Sequence, residues 1–558
     1  MRLLWRALLL LTLAAVAGAD ALVVTRAMRA STICEIFVEP GEMGVEFEIG
    51  VSDLEGFRNI LPDDLYAKLG HGRRPIEERM GLFFMKDWVV KADGDLLVPQ
   101  IQEMKGARRI QRDEVTGEPI GESEETVVLL KLRYLLTGEP KTITFQPPAG
   151  EQGVSANIGF VAYHSGLPIN DFRYLSAEEA LDLDWVDPWF SAFHNRNLKR
   201  QQSAPIQAFL YVDNFEVRKE IICRPRDLAP WLDLGLGERI EAAQRPEIEQ
   251  RVAAFLADKN PVTIDGRPAV GQLDRIHFVR RTLRTTGVVP SDEDLDAVGA
   301  TMGIIFVYPV ESLPQEVSMR WELFSERVQK VPTVATDEAG GLPSYVTPDD
   351  PVLKWQNFLK NPTRPTFEDI EPPTEGSGLL RTATVVACGL LAAFLLLRRR
   401  RLLALVPAVA ALLVLFVIPD GSRVDEERAR PVLEGLLRNV YRAFDFRGEE
   451  AIYDALARSA SGELLTQIYL ETQRALVLRN QGGARTKVKQ VELIEADSEA
   501  LDRSAGFRSR CSWTVTGSVG HWGHIHQRSN QYEAVFTVEP VEGVWKLTGL
   551  ELLSEKRL

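Results

Sequence analysis

Three spacings of apolar residues follow one another along the chain. The first is a short apolar run over residues 7–16, preceded by Arg2 and Arg6 and followed by Ala17, Gly18 and Ala19. A basic start, an apolar middle and a small-x-small end make a secretory leader, so 1–19 reads as a signal peptide cleaved after Ala19. The second, over 20–360, is the period-two alternation of strands. Residues 33–38 and 45–51 flank Pro40-Gly41, a hairpin turn, and 88–92 and 95–98 flank Asp93-Gly94, another. Asp53 between them is placed to cap a short helical stretch. The apolar strand 158–163 and Leu167-Pro168 come next.

The same order recurs downstream. Residues 208–212 and 215–223 flank Asp213-Asn214, Asp227 opens a second helical stretch, Asp265-Gly266 is a second Asp-Gly turn, and 303–308 precedes Leu313-Pro314. Four landmarks in matching order imply a duplicated β-rich unit, 20–200 and then 201–360. Each is expected to be sandwich-like with helical insertions. One insertion is 247–259, with Ile248, Val252 and Phe255 on one stripe.

The third spacing is uniform rather than periodic. After a Pro-rich segment, 361–377, read as a semi-rigid linker, the run 382–397 carries no charge, Arg398 to Arg401 follow, and 402–418 is again uncharged. Four consecutive arginines between two apolar runs predict a transmembrane helical hairpin over 378–418 whose basic turn, 398–401, is cytoplasmic. The expected location is then the cytoplasmic (inner) membrane, with the folded domains on the extracytoplasmic, periplasmic side. The runs contain no Asp, Glu, Lys or His, which argues against a transport path.

From 423 to 558 helical spacing returns, with Leu433, Leu437, Val440 and Phe444 on one face, then two more helices over 449–459 and 462–480. Strands follow at 486–495, 507–519, 524–538 and 544–553, an α+β plan of helices and then a curved antiparallel sheet. Three of the seven histidines stand together, His521, His524 and His526. Counting by two from the apolar positions Ala534, Phe536 and Val538 puts Tyr532, Asn530, Arg528, His526 and His524 on one strand face. Three readings stay open. This is a solvated hairpin end; or a ligand pocket in which Arg528 receives an anion and His526 or Tyr532 donates; or a Zn²⁺ or Cu²⁺ site on His521, His524 and His526. The element order, with strands around Trp513, Trp522 and Trp545, resembles the NTF2-like (SnoaL-like) fold. That resemblance implies helices packed on a curved sheet around a conical pocket, used for ligands, catalysis or docking. The chain as a whole resembles an uncharacterised family of bacterial membrane proteins that carry a signal peptide.

Composition adds exclusions. With 65 basic against 79 acidic residues the formal net charge is -14, which excludes general nucleic-acid binding. Four cysteines are too few for a disulfide scaffold; a Cys34–Cys223 bridge in an oxidising compartment has nothing local to favour it. Asp182, Asp184 and Asp187 could approach a Ca²⁺ but lack the glycine and distal glutamate of a calcium loop, so a solvated acidic turn is the simpler reading. Arg280, Arg281 and Arg284 near His277 read as an exposed basic face. The expected function is that of a membrane-anchored envelope protein, held by 378–418 in the lipid bilayer, which binds an envelope protein partner and is not an enzyme. The alternative is a ligand-binding or enzymatic C-terminal domain.

Overall fold

The computed structural model describes residues 26–112, 119–148, 156–281, 286–360, 362, 367–372, 376–398, 406–407, 409–411, 426–446, 448–482, 485–501, 506–522 and 524–558. They divide into two compact units. One holds the described chain through Phe358; the other holds Leu359–Leu558, with 310–313 grouped with it.

The first unit opens with β1 (Thr32–Glu39) and β2 (Glu42–Gly50), then two short helices, α1 (Asp63–Lys68) and α2 (Ile76–Leu82). It continues with β3 (Val89–Ala92), β4 (Asp95–Leu97), β5 (Gln100–Arg112), β6 (Pro119–Leu135), β7 (Thr142–Gln146), β8 (Ile158–His164), β9 (Leu167–Pro168), β10 (Arg173–Tyr174), β11 (Glu179–Asp182) and β12 (Ala192–Phe193). The larger sheet runs β10-β8-β1-β2-β6-β5, and the smaller β12-β11-β7-β3-β4. Alternation does the sorting. In β2, Met43, Val45 and Phe47 are buried, and in β7, Ile143 and Phe145; these inward faces form one core. Trp88 Nε1 donates to Tyr134 Oη at 2.9 Å inside it, so the indole is buried without an orphaned donor.

The second half repeats this plan. Its strands are β13 (Ile206–Val212), β14 (Glu216–Cys223), β15 (Arg239–Ile240), β16 (Val262–Ile264), β17 (Arg267–Ala269), β18 (Gln272–Arg281), β19 (Thr286–Val288), β20 (Leu295–Asp296), β21 (Thr301–Pro309), β22 (Glu316–Arg320), β23 (Val331–Asp337), β24 (Gly340–Val346) and β25 (Val352–Gln356), with α3 (Arg245–Ala257) before β16. The larger sheet runs β24-β23-β13-β14-β21-β18-β19 and the smaller β17-β16-β22-β25. In each half the first strand pairs antiparallel with the second and parallel with a late one, β1 with β8 and β13 with β23. The Asp-Gly turns match atom for atom. Asp93 and Asp265 stand at φ 49° and 47°, before Gly94 and Gly266. Asp93 Oδ1 accepts from the amides of Lys141 and Thr142, and Asp265 Oδ1 from those of Gln315 and Glu316. The strand ahead of Leu313-Pro314, β21, is not the counterpart of β8: it pairs antiparallel with β14, as β6 pairs with β2.

The second unit contains α4 (Gly376–Leu397), α5 (Glu426–Arg442), α6 (Glu449–Ala457), α7 (Gly462–Gly482) and a meander of β26 (Arg485–Ala500), β27 (Phe507–His521), β28 (His524–Val541) and β29 (Val544–Arg557). Leu433 and Leu437 of α5 pack with Trp513, Phe536 and Leu547 of the sheet. The Pro-rich segment is not a free stalk where it is described, at 367–372. Phe367 and Ile370 lie on this core, Trp545 N donates to Ile370 O at 2.7 Å, and Asn439 Nδ2 donates to Glu368 O at 2.8 Å.

The fold plan expected from sequence is corrected at the hairpin. Among the described residues no helix is long and apolar enough to cross a membrane. The transmembrane hairpin over 378–418 and the multi-pass inner-membrane location are overturned. The physical reason is length: the uncharged run in α4 is short of the ~20 residues a bilayer core requires, with Arg381 before it and Arg398 after it. The second apolar run is described only at 406–407 and 409–411. The described chain is dominated by β-structure, in six sheets. The leader, 1–19, lies outside the described residues.

Candidate functional site: a cavity between the two β regions

Inside the first unit the two halves form the walls of an open cavity of about 590 Å³. The first half supplies β8 and the segment after it. Ser165 and Gly166, both at positive φ, turn the chain back so that Leu167 and Pro168 face the space. The second half supplies Val279, Arg280 and Arg281 from the end of β18, with Leu295 and the 299–301 turn. Gly299 lies against Leu167 across the halves: a Cβ there would come within 2.7 Å of Leu167 Cδ2, so that side chain would have to turn aside.

A buried ion triad fixes the halves beside the cavity. Arg224 is fully buried and donates to both carboxylate oxygens of Asp187, at 3.0 and 2.8 Å, and to Asp227 at 2.7 Å. Asp187 belongs to the first half and Arg224 to the second. Burial opposes charge on Asp187, but the Arg224 guanidinium outweighs it and holds the carboxyl below its usual range. Removing Arg224 would strand two buried carboxylates, the costly way to break such a pair. Asp187 Oδ1 also caps the short 3-10 turn Pro188–Phe190 through Trp189 N, which seats the Trp189 ring at the cavity wall.

Two further guanidiniums line the space. Arg200 stacks on Trp189 with its Cζ 3.8 Å from the ring centroid and donates to the carbonyls of Pro168 and Trp189 at 2.7 and 2.9 Å. Arg281 donates from Nη2 to Gln207 Oε1 at 2.9 Å, and its buried Nε has no hydrogen-bond partner. Among the described residues neither makes an ion pair. Burial pushes both down to about 10. Arg280 is taken up by Glu293. Of the wall carboxylates, Asp171 Oδ2 accepts from Gln201 N and Arg173, and burial raises its carboxyl. Asp296 Oδ1 accepts from the amides of Val298 and Gly299. The opposite charges near the space are therefore spent on structure.

The residues singled out by sequence fall elsewhere. The side chains of His521, His524, His526 and Arg528 lie outside the described residues, as does Arg284. Tyr532 is buried and Asn530 half-buried. Asn530 Nδ2 donates to Tyr532 Oη at 3.0 Å and to Glu555 Oε1 at 3.3 Å, and Trp513, stacked on Tyr532, donates from Nε1 to Tyr441 Oη at 3.1 Å. Burial pushes both tyrosines up and raises the Glu555 carboxyl, so all three groups are held toward their neutral forms. This is a hydrogen-bonded lining rather than a proton-transfer pair. Tyr441 and Glu555 gave no local signal, because they come from α5 and the end of β29. Among the described residues no cluster of His, Cys, Asp and Glu could hold a metal. The three aspartates diverge: Asp182 meets His194, Asp184 accepts from the amides of Val186 and Asp187 and from Arg327, and Asp187 holds Arg224. Arg281, read from sequence as part of an exposed face, is a cavity residue.

No protein-family model and no curated protein matches the chain. Among solved structures, the intermembrane space region of the chloroplast protein ARC6 is similar over 24% of this chain and 98% of its own, at 17% identity and a TM-score of 0.19. A superposition of that quality does not establish a shared fold, and it carries no argument for this chain.

Proposed function

We propose that this chain is a non-enzymatic binding protein of the cell envelope, and that the cavity between its two β regions is the ligand seat. The carrying observation is the cavity itself. Its volume, about 590 Å³, falls within the roughly 300–1,000 Å³ of small-ligand sites, and its apolar walls carry a few polar groups. Its two wall carboxylates, Asp171 and Asp296, are engaged by Gln201 N and Arg173 and by the amides of Val298 and Gly299. The leader pattern of 1–19 supports export. The expected protein partner enters this reading as an occupant that inserts one group into the seat.

A neutral environment-sensitive dye, N-phenyl-1-naphthylamine, tests it on the full chain. Saturable binding at one site per chain is expected, lost when Ala300→Phe or Leu295→Trp fills the space while the near-UV circular dichroism is kept. Undiminished binding to both filled variants would overturn the assignment.

The second unit keeps a second reading, carried by the order of α5, α6 and α7 and then the four-stranded meander. That order supports the NTF2-like resemblance and a ligand function for the lined inner face around Tyr532.

A further inference from the structure

Two of the guanidiniums on the cavity wall, Arg200 and Arg281, make no ion pair among the described residues. Arg200 and Arg281 have guanidiniums directed to carbonyl and amide oxygens, not to carboxylates. The acidic groups that act on them electrostatically are Asp171 and Asp187 on Arg200 and Glu220 on Arg281. Asp171, Asp296 and Arg280 are satisfied by other partners. Around these heads the wall is apolar, with Val161, Phe172 and Val279 among its members. A half-buried guanidinium with no carboxylate hydrogen-bonded to it retains donors that a planar or tetrahedral oxyanion satisfies in pairs. Arg281 lines the cavity while its buried Nε has no hydrogen-bond partner, so the protein itself does not satisfy this guanidinium fully.

We propose that the cavity takes a low-molecular-mass amphiphilic anion, its carboxylate or phosphate head held by Arg200 and Arg281 and its apolar body against the valine and aromatic wall. This rests on the cavity being the ligand seat. Trp189 adds a consequence. Its ring carries Arg200 on it and lies 4.7 Å from the Arg224 guanidinium, so a head on Arg200 alters the surroundings of that indole. The cavity and the inter-half triad share this one side chain.

The experiment displaces the neutral dye from the full chain with decanoate, decyl phosphate, decanol and acetate. Decanoate or decyl phosphate is expected to bind at least roughly tenfold more tightly than decanol, with acetate inert, because a hydrogen bond to a charged group contributes about 1.5–3 kcal/mol. The order of the two anions identifies the head. Arg281→Gln should remove roughly tenfold of the anion affinity and leave decanol unchanged, and Arg281→Lys should restore part of it. Equal affinity for decanol and the anions in the parent chain overturns the proposal while the seat stands. An anion preference unaltered in Arg281→Gln overturns the role of that guanidinium. Absence of dye and amphiphile binding alike overturns the seat itself. The parent-chain comparison decides even if a variant fails to fold.

Discussion

At the scale of single residues, the first unit buries polar groups that local sequence does not announce. His164, at the end of β8, is fully buried; its Nδ1 lies 2.8 Å from Ser191 Oγ, and its ring meets Trp185 at 82°. Ser191 Oγ accepts from Asp184 N, so its own proton is free for the imidazole. Burial pushes His164 down from 6.5 to about 4. The unfolded chain therefore gains a proton near pH 6.5 and the folded chain only near 4. The stability from the neutral ring is whole above 6.5 and is lost as the pH falls toward 4. Between pH 7 and 5 this removes about 2 kcal/mol. Denaturant unfolding of the first unit at both values should show the parent losing that much more than His164→Phe. Equal losses would show that another group carries the acid sensitivity. Asp53 shows how a local signal is outbid. Its carboxylate accepts from Thr32 Oγ1 at 2.7 Å and from Asn157 N, tying down the start of β1, and caps no helix.

At the scale of elements, turns were legible and partners were not. Both Asp-Gly turns, the β1–β2 hairpin and the four C-terminal strands stand where turn residues and period two put them. Those signals act within a few residues. Pairing β8 with β1 depends on contacts more than a hundred residues apart, and an apolar strand before Leu-Pro carries no mark of its neighbour. The match of 158–163 with 303–308 fails for that reason. Close approach is a further tertiary effect: a Cβ on Gly159 would sit 1.8 Å from Ala27 O. The segment 367–372 was read as linker because proline and acidic content say nothing about docking. Its Phe367 stacks on Phe446 at 5.8 Å, and its backbone serves Trp545. In the full chain, Phe367→Ser with Ile370→Ser should lower the stability of the second unit by about 2–4 kcal/mol and speed hydrogen exchange at the Trp545 amide. Unchanged exchange there would show the segment to be dispensable.

At the scale of the whole molecule, the cysteines test how the cores are assembled. Cys34 and Cys223 are free and buried, in β1 and β14 of different halves, and Cys511 is buried in the second unit. Burial pushes all three thiols up, Cys511 to about 12, so thiolate is scarce at neutral pH. Cys388 is the partly exposed one. The native chain should therefore titrate with one fast thiol against a chromogenic disulfide reagent, Cys388→Ser with none, and the denatured chain with four. Two missing thiols after denaturation without reductant would reveal a bridge between Cys34 and Cys223.

The sequence by itself determined the strands, their tight turns, the helix-then-sheet order of the C-terminal region and the sign of the net charge. These follow from side-chain alternation and from turn residues whose preferences act locally. Only the tertiary structure decided that 367–372 is packed, and that Arg200, Arg224 and Arg281 converge near one cavity. Those outcomes depend on which surfaces meet. Strand pairing across long loops is selected by the fit of whole faces, and no window of sequence contains both faces at once.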